Sequence, residues 1–164
     1  MTDHGGRGGS DRSTRSVGPG EVREAAIRLL ARREHAAREL GDKLVRKGWP
    51  AELVDGAVNE LASEGLQSDR RFAESFARQR VEKGYGPVRI GAELRQRGID
   101  EGTAEGALES LGVDFFELAA SVYHRRYRGR PAPGDIKERS RRYQAMLRRG
   151  FSSEHLREIN ALSF

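Results

Sequence analysis

At 164 residues and 18.3 kDa the chain is long enough for one domain or a short array of subdomains. Hydrophobic residues make up 36% and charged residues 34%, with a mean hydropathy of −0.74, which suits an elongated helical body better than one compact core. Cysteine is absent, which excludes disulfides and thiolate metal sites. No apolar run approaches the roughly 18 residues of a membrane span, and the N-terminus lacks a secretory core, so a cytoplasmic protein is expected.

The net charge of +5 is unevenly spread. Residues 21–67 carry −1 and residues 68–112 carry zero, whereas residues 117–164 hold 11 Lys/Arg against 5 Asp/Glu. A surplus confined to one segment points to a polyanionic partner, and its bland alternative is a solvated face.

Residues 1–20 are rich in Gly, Ser and Arg and are expected to be a disordered tail, in which Arg7, Arg12 and Arg15 offer at most a weak nucleic-acid contact. From residue 21 the hydrophobic period is helical. Val22, Ala25, Ala26, Leu29 and Leu30 form one stripe, and Leu40, Leu44 and Val45 form a second that ends at Gly48. Pro50 opens a third helix carrying Val54, Ala57, Val58 and Leu61. Ser68 and Asp69 are N-cap residues for a helix through Phe72, Ala73, Phe76, Ala77 and Val81. The turn Gly84-Tyr85-Gly86-Pro87 then delivers a helix with Ile90 and Leu94, closed by Gly98, and another follows with Ala104, Ala107, Leu108 and Leu111. The last third repeats the plan: a stripe from Phe115 to Tyr127, a Gly/Pro-rich break over 129–134, a stripe through Tyr143, Met146 and Leu147, and a helix capped by Ser152 or Ser153. The expected fold is all-α, nine helices in three repeats, over 21–66, 67–112 and 113–164.

One fragment returns three times: Leu44-Val45-Arg46-Lys47-Gly48-Trp49, Leu94-Arg95-Gln96-Arg97-Gly98-Ile99 and Met146-Leu147-Arg148-Arg149-Gly150-Phe151. The glycines lie 50 and 52 residues apart. Such a period signals one supersecondary unit used three times, with neighbours lending each other a hydrophobic face and a long surface offered to a macromolecule.

Enzymatic readings find little support. No Gly-rich phosphate loop is present, the four histidines lack metal-ligand spacing on one helix face, and the serines read as caps. No catalytic residue, metal or cofactor is expected; His124 and His155 read as surface groups, and Glu93 as i,i+4 support between Arg89 and Arg97. The basic residues are the better candidates. Arg125, Arg126, Arg128 and Arg130 end one helix, while Lys137, Arg139, Arg141, Arg142, Arg148 and Arg149 line another. Arg142 and Arg149 are seven apart, as are Arg141 and Arg148, so each pair shares a face that can reach phosphates or acidic side chains. Helix-dipole complementation explains one or two of these cations, not ten. Tyr123, Tyr127 and Tyr143 read as core. A helix-turn-helix over 84–111 is disfavoured, because its second helix opens on acidic Asp100 and Glu101.

These residues resemble the RecX family, bacterial modulators of the RecA recombinase. The likeness runs from about 21 to 162 and is strongest over 65–73, Gln79-Arg80, Gly84-Tyr85-Gly86-Pro87-Val88-Arg89-Ile90 and 93–99, with Leu29–His35, Glu39-Leu40 and Arg148–Ser152 in the outer repeats. One departure is Ala36, where the family usually places a Ser that reads as a local cap. The resemblance implies three tandem three-helix repeats forming a curved array with a basic concave side. It further implies a monomer that binds RecA in the groove of its filament on DNA, restraining ATP hydrolysis, strand exchange and repressor cleavage. On that basis Arg80, Lys83, Arg89, Arg95 and Arg97 are expected to face the RecA–DNA groove together with the third repeat's arginines, DNA itself being touched weakly if at all. The alternative is an autonomous DNA-binding regulator that needs no RecA.

Overall fold

The computed structural model describes residues 16–162, and every regular element among them is a helix. The first repeat comprises α1 (Pro19–Leu30), α2 (Ala37–Arg46) and α3 (Ala51–Ser63). The second comprises α4 (Asp69–Glu82), α5 (Pro87–Gln96) and α6 (Glu101–Ser110). The third holds α7 (Phe115–Arg126), α8 (Ile136–Arg148), the short α9 (Ser153–Arg157) and a 3₁₀ turn over Asn160–Leu162. None of these helices is long and apolar enough to cross a membrane. The arginines at 7, 12 and 15 lie outside the described residues. Helix α1 reaches back to Pro19, inside the stretch expected as tail, because Pro at the first position costs no hydrogen bond and Glu21 accepts from the Gly18 N–H.

The thrice-repeated fragment is a Schellman cap each time. Trp49, Ile99 and Phe151 donate their N–H to the carbonyls of Leu44, Leu94 and Met146, while Gly48, Gly98 and Gly150 donate to Val45, Arg95 and Leu147. The glycines take φ of 97°, 84° and 100°, a left-handed conformation that strains any other residue. Each cap therefore stops the middle helix and returns an apolar side chain toward the core.

Each repeat buries its own core. Val22, Leu40, Leu44, Val54 and Leu61 form the first, Phe72, Ala73, Ile90, Leu94 and Ile99 the second, and Ala119, Tyr123, Met146, Phe151 and Leu156 the third. The main helix packings, α1 on α3, α4 on α6 and α7 on α9, all stay within a repeat. This differs from the expectation of shared hydrophobic faces: the repeats meet largely through short polar junctions, although Ala36 of the first repeat is buried in the second core.

At the first junction Asp69 Oδ1 accepts from the Ala37 N–H at 2.8 Å, capping α2 from the neighbouring repeat. Ala36 occupies the N-cap of α2 and supplies no side-chain bond, so Asp69 takes over that task. Gln67 donates to the His35 carbonyl and to Asp69, Arg71 pairs with Glu34 at 2.8 Å, and Arg38 donates to the Gln96 carbonyl. His35 is buried, with Nδ1 3.0 Å from the Arg33 carbonyl and Nε2 without a partner.

The second junction is tighter. Gly86 donates to the Arg149 carbonyl at 2.9 Å and Val88 to the Gly150 carbonyl at 3.0 Å, so the turn before α5 lies directly on the cap of α8. A Cβ on Gly86 would overlap the Gly150 carbonyl, and one on Gly150 would overlap Arg89.

Arg142 does not face outward as its spacing suggests. Its guanidinium turns inward, only 5% of the residue is exposed, and it donates to Glu138, the Tyr123 hydroxyl and the Pro131 carbonyl at 3.0, 3.2 and 3.1 Å. It also lies 4.5 Å from the centre of the Tyr127 ring. Arg142 thus ties α8 to α7 and to the 129–134 loop, and it does not share an outward face with Arg149. His155 is likewise no simple surface group: it packs edge-on against Phe116, and its Nδ1 accepts from the Ser152 N–H.

Two outcomes follow for stability. Arg142→Ala removes three hydrogen bonds, leaves the buried Tyr123 hydroxyl without this partner and lowers unfolding free energy by about 1–3 kcal/mol in urea titration; wild-type stability would contradict the inward placement. Burial, partly opposed by the Arg33 carbonyl, holds the His35 pKa below the usual imidazole value of 6.5. The unfolded chain then binds the extra proton first, so stability is full above that value and falls as the pH drops below it. His35→Gln should flatten that part of the profile, and an unchanged slope would show that another group carries it.

Candidate functional site

Two cavities of about 250 Å³ each meet at Lys83, one at each junction. The first lies between repeats one and two and is lined by Arg33, Glu34, Glu39, Phe76, Gln79, Arg80, Lys83 and Arg97. Most of its charge is internally balanced: Arg33 pairs with Glu39 at 2.7 Å, and Arg80 with Glu93 at 2.7 Å. Glu93 also holds Arg89 at 3.0 Å, so it bridges α4 and α5 rather than Arg89 and Arg97. Arg97 instead lies over Phe76, 4.6 Å from the ring centre.

The second cavity is different. It is lined by Lys83, Gly84, Val122, Arg125, Arg126 and Arg149, four cations with no carboxylate among them. Arg125 and Arg126 project from the last turn of α7, where the helix dipole favours positive charge. Lys83 follows α4, and Arg149 ends α8. Arg149 reaches across the junction to donate to the Lys83 carbonyl at 3.1 Å, and its Nε is buried without an acceptor. Gly84 permits this approach: a Cβ there would sit 3.0 Å from Val122 and 3.4 Å from the Arg149 guanidinium.

Tyr85 links the two cavities. Arg89, Arg149 and Arg80 lie 4.3, 5.0 and 5.6 Å from its ring centre, and Arg80 also lies 4.8 Å from that of Phe76. Aromatic faces help order these guanidiniums, each contact contributing about 0.5–2 kcal/mol; Arg80 and Arg89 are also paired with Glu93, whereas Arg149 is held here without a carboxylate. Four clustered cations with no local acid favour an anionic ligand through charge-assisted hydrogen bonds.

The remaining candidates are scattered. Arg95 lines a separate groove with Pro87, Val88, Gly91, Glu101 and Leu108. Lys137 and Arg128 are exposed and line neither cavity, Arg141 pairs with Glu138 at 2.8 Å, and Arg148 is exposed while its carbonyl accepts from Arg89. The structure thus brings Arg80, Lys83 and Arg97 to the first cavity and Lys83, Arg125, Arg126 and Arg149 to the second. Arg33, Gln79, Gly84 and Val122 were not anticipated from sequence. Their one signal was the Gly-Tyr-Gly turn, whose two glycines mark a close approach rather than a simple bend.

Comparison with known proteins gives a consistent answer. Family models described as the first, second and third three-helix domains of RecX match residues 23–61, 68–108 and 113–159. The chain is 48% identical over 140 residues to the regulatory protein RecX of Halorhodospira halophila, covering 85% of this chain and 86% of that one. It is 47% identical over 134 residues to the regulatory protein RecX of Ectopseudomonas mendocina, covering 82% and 89%. The crystal structure of RecX from Lactobacillus salivarius superposes with a TM-score of 0.72 at 25% identity, covering 88% of this chain and 96% of that one. With three tandem three-helix repeats and relatives this similar over most of its length, the chain belongs to the RecX family of regulatory proteins.

Proposed function

We propose that this protein is a non-catalytic regulator that binds RecA or its filament on DNA and restrains ATP hydrolysis, strand exchange and co-protease activity. It thereby modulates recombination, DNA repair and the SOS response in the cytoplasm. The observation that carries this reading is the carboxylate-free cavity of Lys83, Arg125, Arg126 and Arg149 between the second and third repeats. Its four cations fit clustered acidic side chains of a protein or the phosphates of the DNA beneath it. The first cavity extends the same surface through Arg80 and Arg97. Its internal ion pairs suit orientation more than affinity, since a cation already matched gains little from a second anion.

The test is DNA-stimulated ATP hydrolysis by a cognate RecA with this protein titrated in. Wild-type protein inhibits at substoichiometric dose. Arg125→Glu combined with Arg126→Glu raises the half-inhibitory concentration about ten-fold or more, the loss expected for charge-assisted contacts. Residual inhibition by that variant is less sensitive to salt. Unchanged inhibition by a folded double variant would remove the cavity from the interface. Tight duplex binding in a gel shift, without any effect on RecA, would favour a DNA regulator that acts alone.

A further inference from the structure

The residue after the capping glycine is treated differently in the first repeat. Ile99 and Phe151 are 2% and 1% exposed, sealed into their cores. Trp49, the single tryptophan of the chain, is half-buried: it packs against the first core and also lines an open cavity of about 450 Å³. The cavity has an apolar floor that includes Leu29 and Leu44. Its rim is Arg28 and Arg32 near the end of α1, and Lys47 at the end of α2. Among the described residues none of these three cations has an ion-pair partner, and no carboxylate lines the cavity. The indole therefore shares its cavity with three cations that no ion pair holds.

Two blander accounts fall short. Helix C-termini favour cations, which explains the ends of α1 and α2 but not the half-exposed indole between them. Plain core packing explains Ile99 and Phe151, yet leaves an apolar floor uncovered at Trp49. A ligand that suits the whole site needs a flat apolar face and closely spaced negative charge in one unit. A nucleotide of a single strand has both: the base stacks on an aromatic ring, and flanking phosphates meet Lys and Arg. A run of acidic side chains alone supplies the charge but leaves the floor bare.

We propose that this cavity is a subsite for single-stranded nucleic acid, with a base against Trp49 and adjacent phosphates on Arg28, Arg32 and Lys47. It shares no residue with the groove at Lys83 and does not depend on the RecA reading. The volume lies within the roughly 300–1,000 Å³ typical of built ligand sites.

Trp49 makes its own reporter, because no other tryptophan contributes emission. Oligothymidylate titrated into the full-length chain, without RecA, should quench Trp49 fluorescence. An abasic strand of equal length and charge should leave the emission unchanged. Arg28→Gln with Arg32→Gln should raise the quenching midpoint about ten-fold or more. In the same variant the slope of log affinity against log salt should fall by roughly 0.7 per lost cation. Four results would overturn the proposal: no quenching by oligothymidylate, equal quenching by the abasic strand, equal quenching by polyglutamate, or an unchanged midpoint in the double variant.

Discussion

The fold depends on a contact that contains no side chain. The Gly86 N–H and the Val88 N–H reach the carbonyls of Arg149 and Gly150 across the junction of the second and third repeats. Glycine stands on each side, and a Cβ on Gly86 would overlap the Gly150 carbonyl while one on Gly150 would overlap Arg89. Because the three hydrophobic cores are separate, their burial stabilises each repeat but does not orient it against the next. Orientation falls to the junctions, and the glycine contact is the least adjustable of them. It sets where Arg149 stands relative to Lys83 and Arg125, and so it shapes the basic cavity.

Around that contact the protein uses two ways of holding arginine. Some are spent in ion pairs: Glu138 holds Arg141 and Arg142, and Glu93 holds Arg80 and Arg89. Others lie on an aromatic face with no ion pair among the described residues, as Arg97 does on Phe76 and Arg149 on Tyr85. Pairing cancels charge and fixes geometry, whereas an aromatic face fixes geometry and leaves the charge available. The difference separates arginines that build the scaffold from those that a polyanionic partner can reach. Net charge by segment cannot draw that line, since Arg142 and Arg149 count equally in the ledger.

Much of the architecture was legible in the sequence because it is written locally. The 3.6-residue stripes, the left-handed glycines and the caps at Ser68 and Ser152 depend on neighbours within a few positions, as does Pro87 at the start of α5. The family likeness was legible for the same reason: its motifs are caps and turns. The site was less so. Seven-residue spacing places Arg142 and Arg149 on one helix face but does not say whether that face looks outward; Tyr123, far away in sequence, decides it. Shared hydrophobic faces were expected from the repeat period, yet small residues at the junctions bring backbones and polar groups together instead. The three copies of the glycine motif also look equivalent as text. Only their surroundings distinguish a sealed Phe151 from a half-open Trp49.

We propose that the glycine junction presents the basic groove to RecA. It is tested most directly by Gly86→Ala in the assay of DNA-stimulated ATP hydrolysis by a cognate RecA, with circular dichroism alongside. The added methyl should force the junction apart, costing about 1–3 kcal/mol as overpacking does, while each repeat keeps its own core and its helicity. The helical signal should stay near native while inhibition weakens about ten-fold or more, the loss expected when the groove's cations are no longer aligned. Full inhibition by a Gly86→Ala protein with a measurably loosened junction would contradict it.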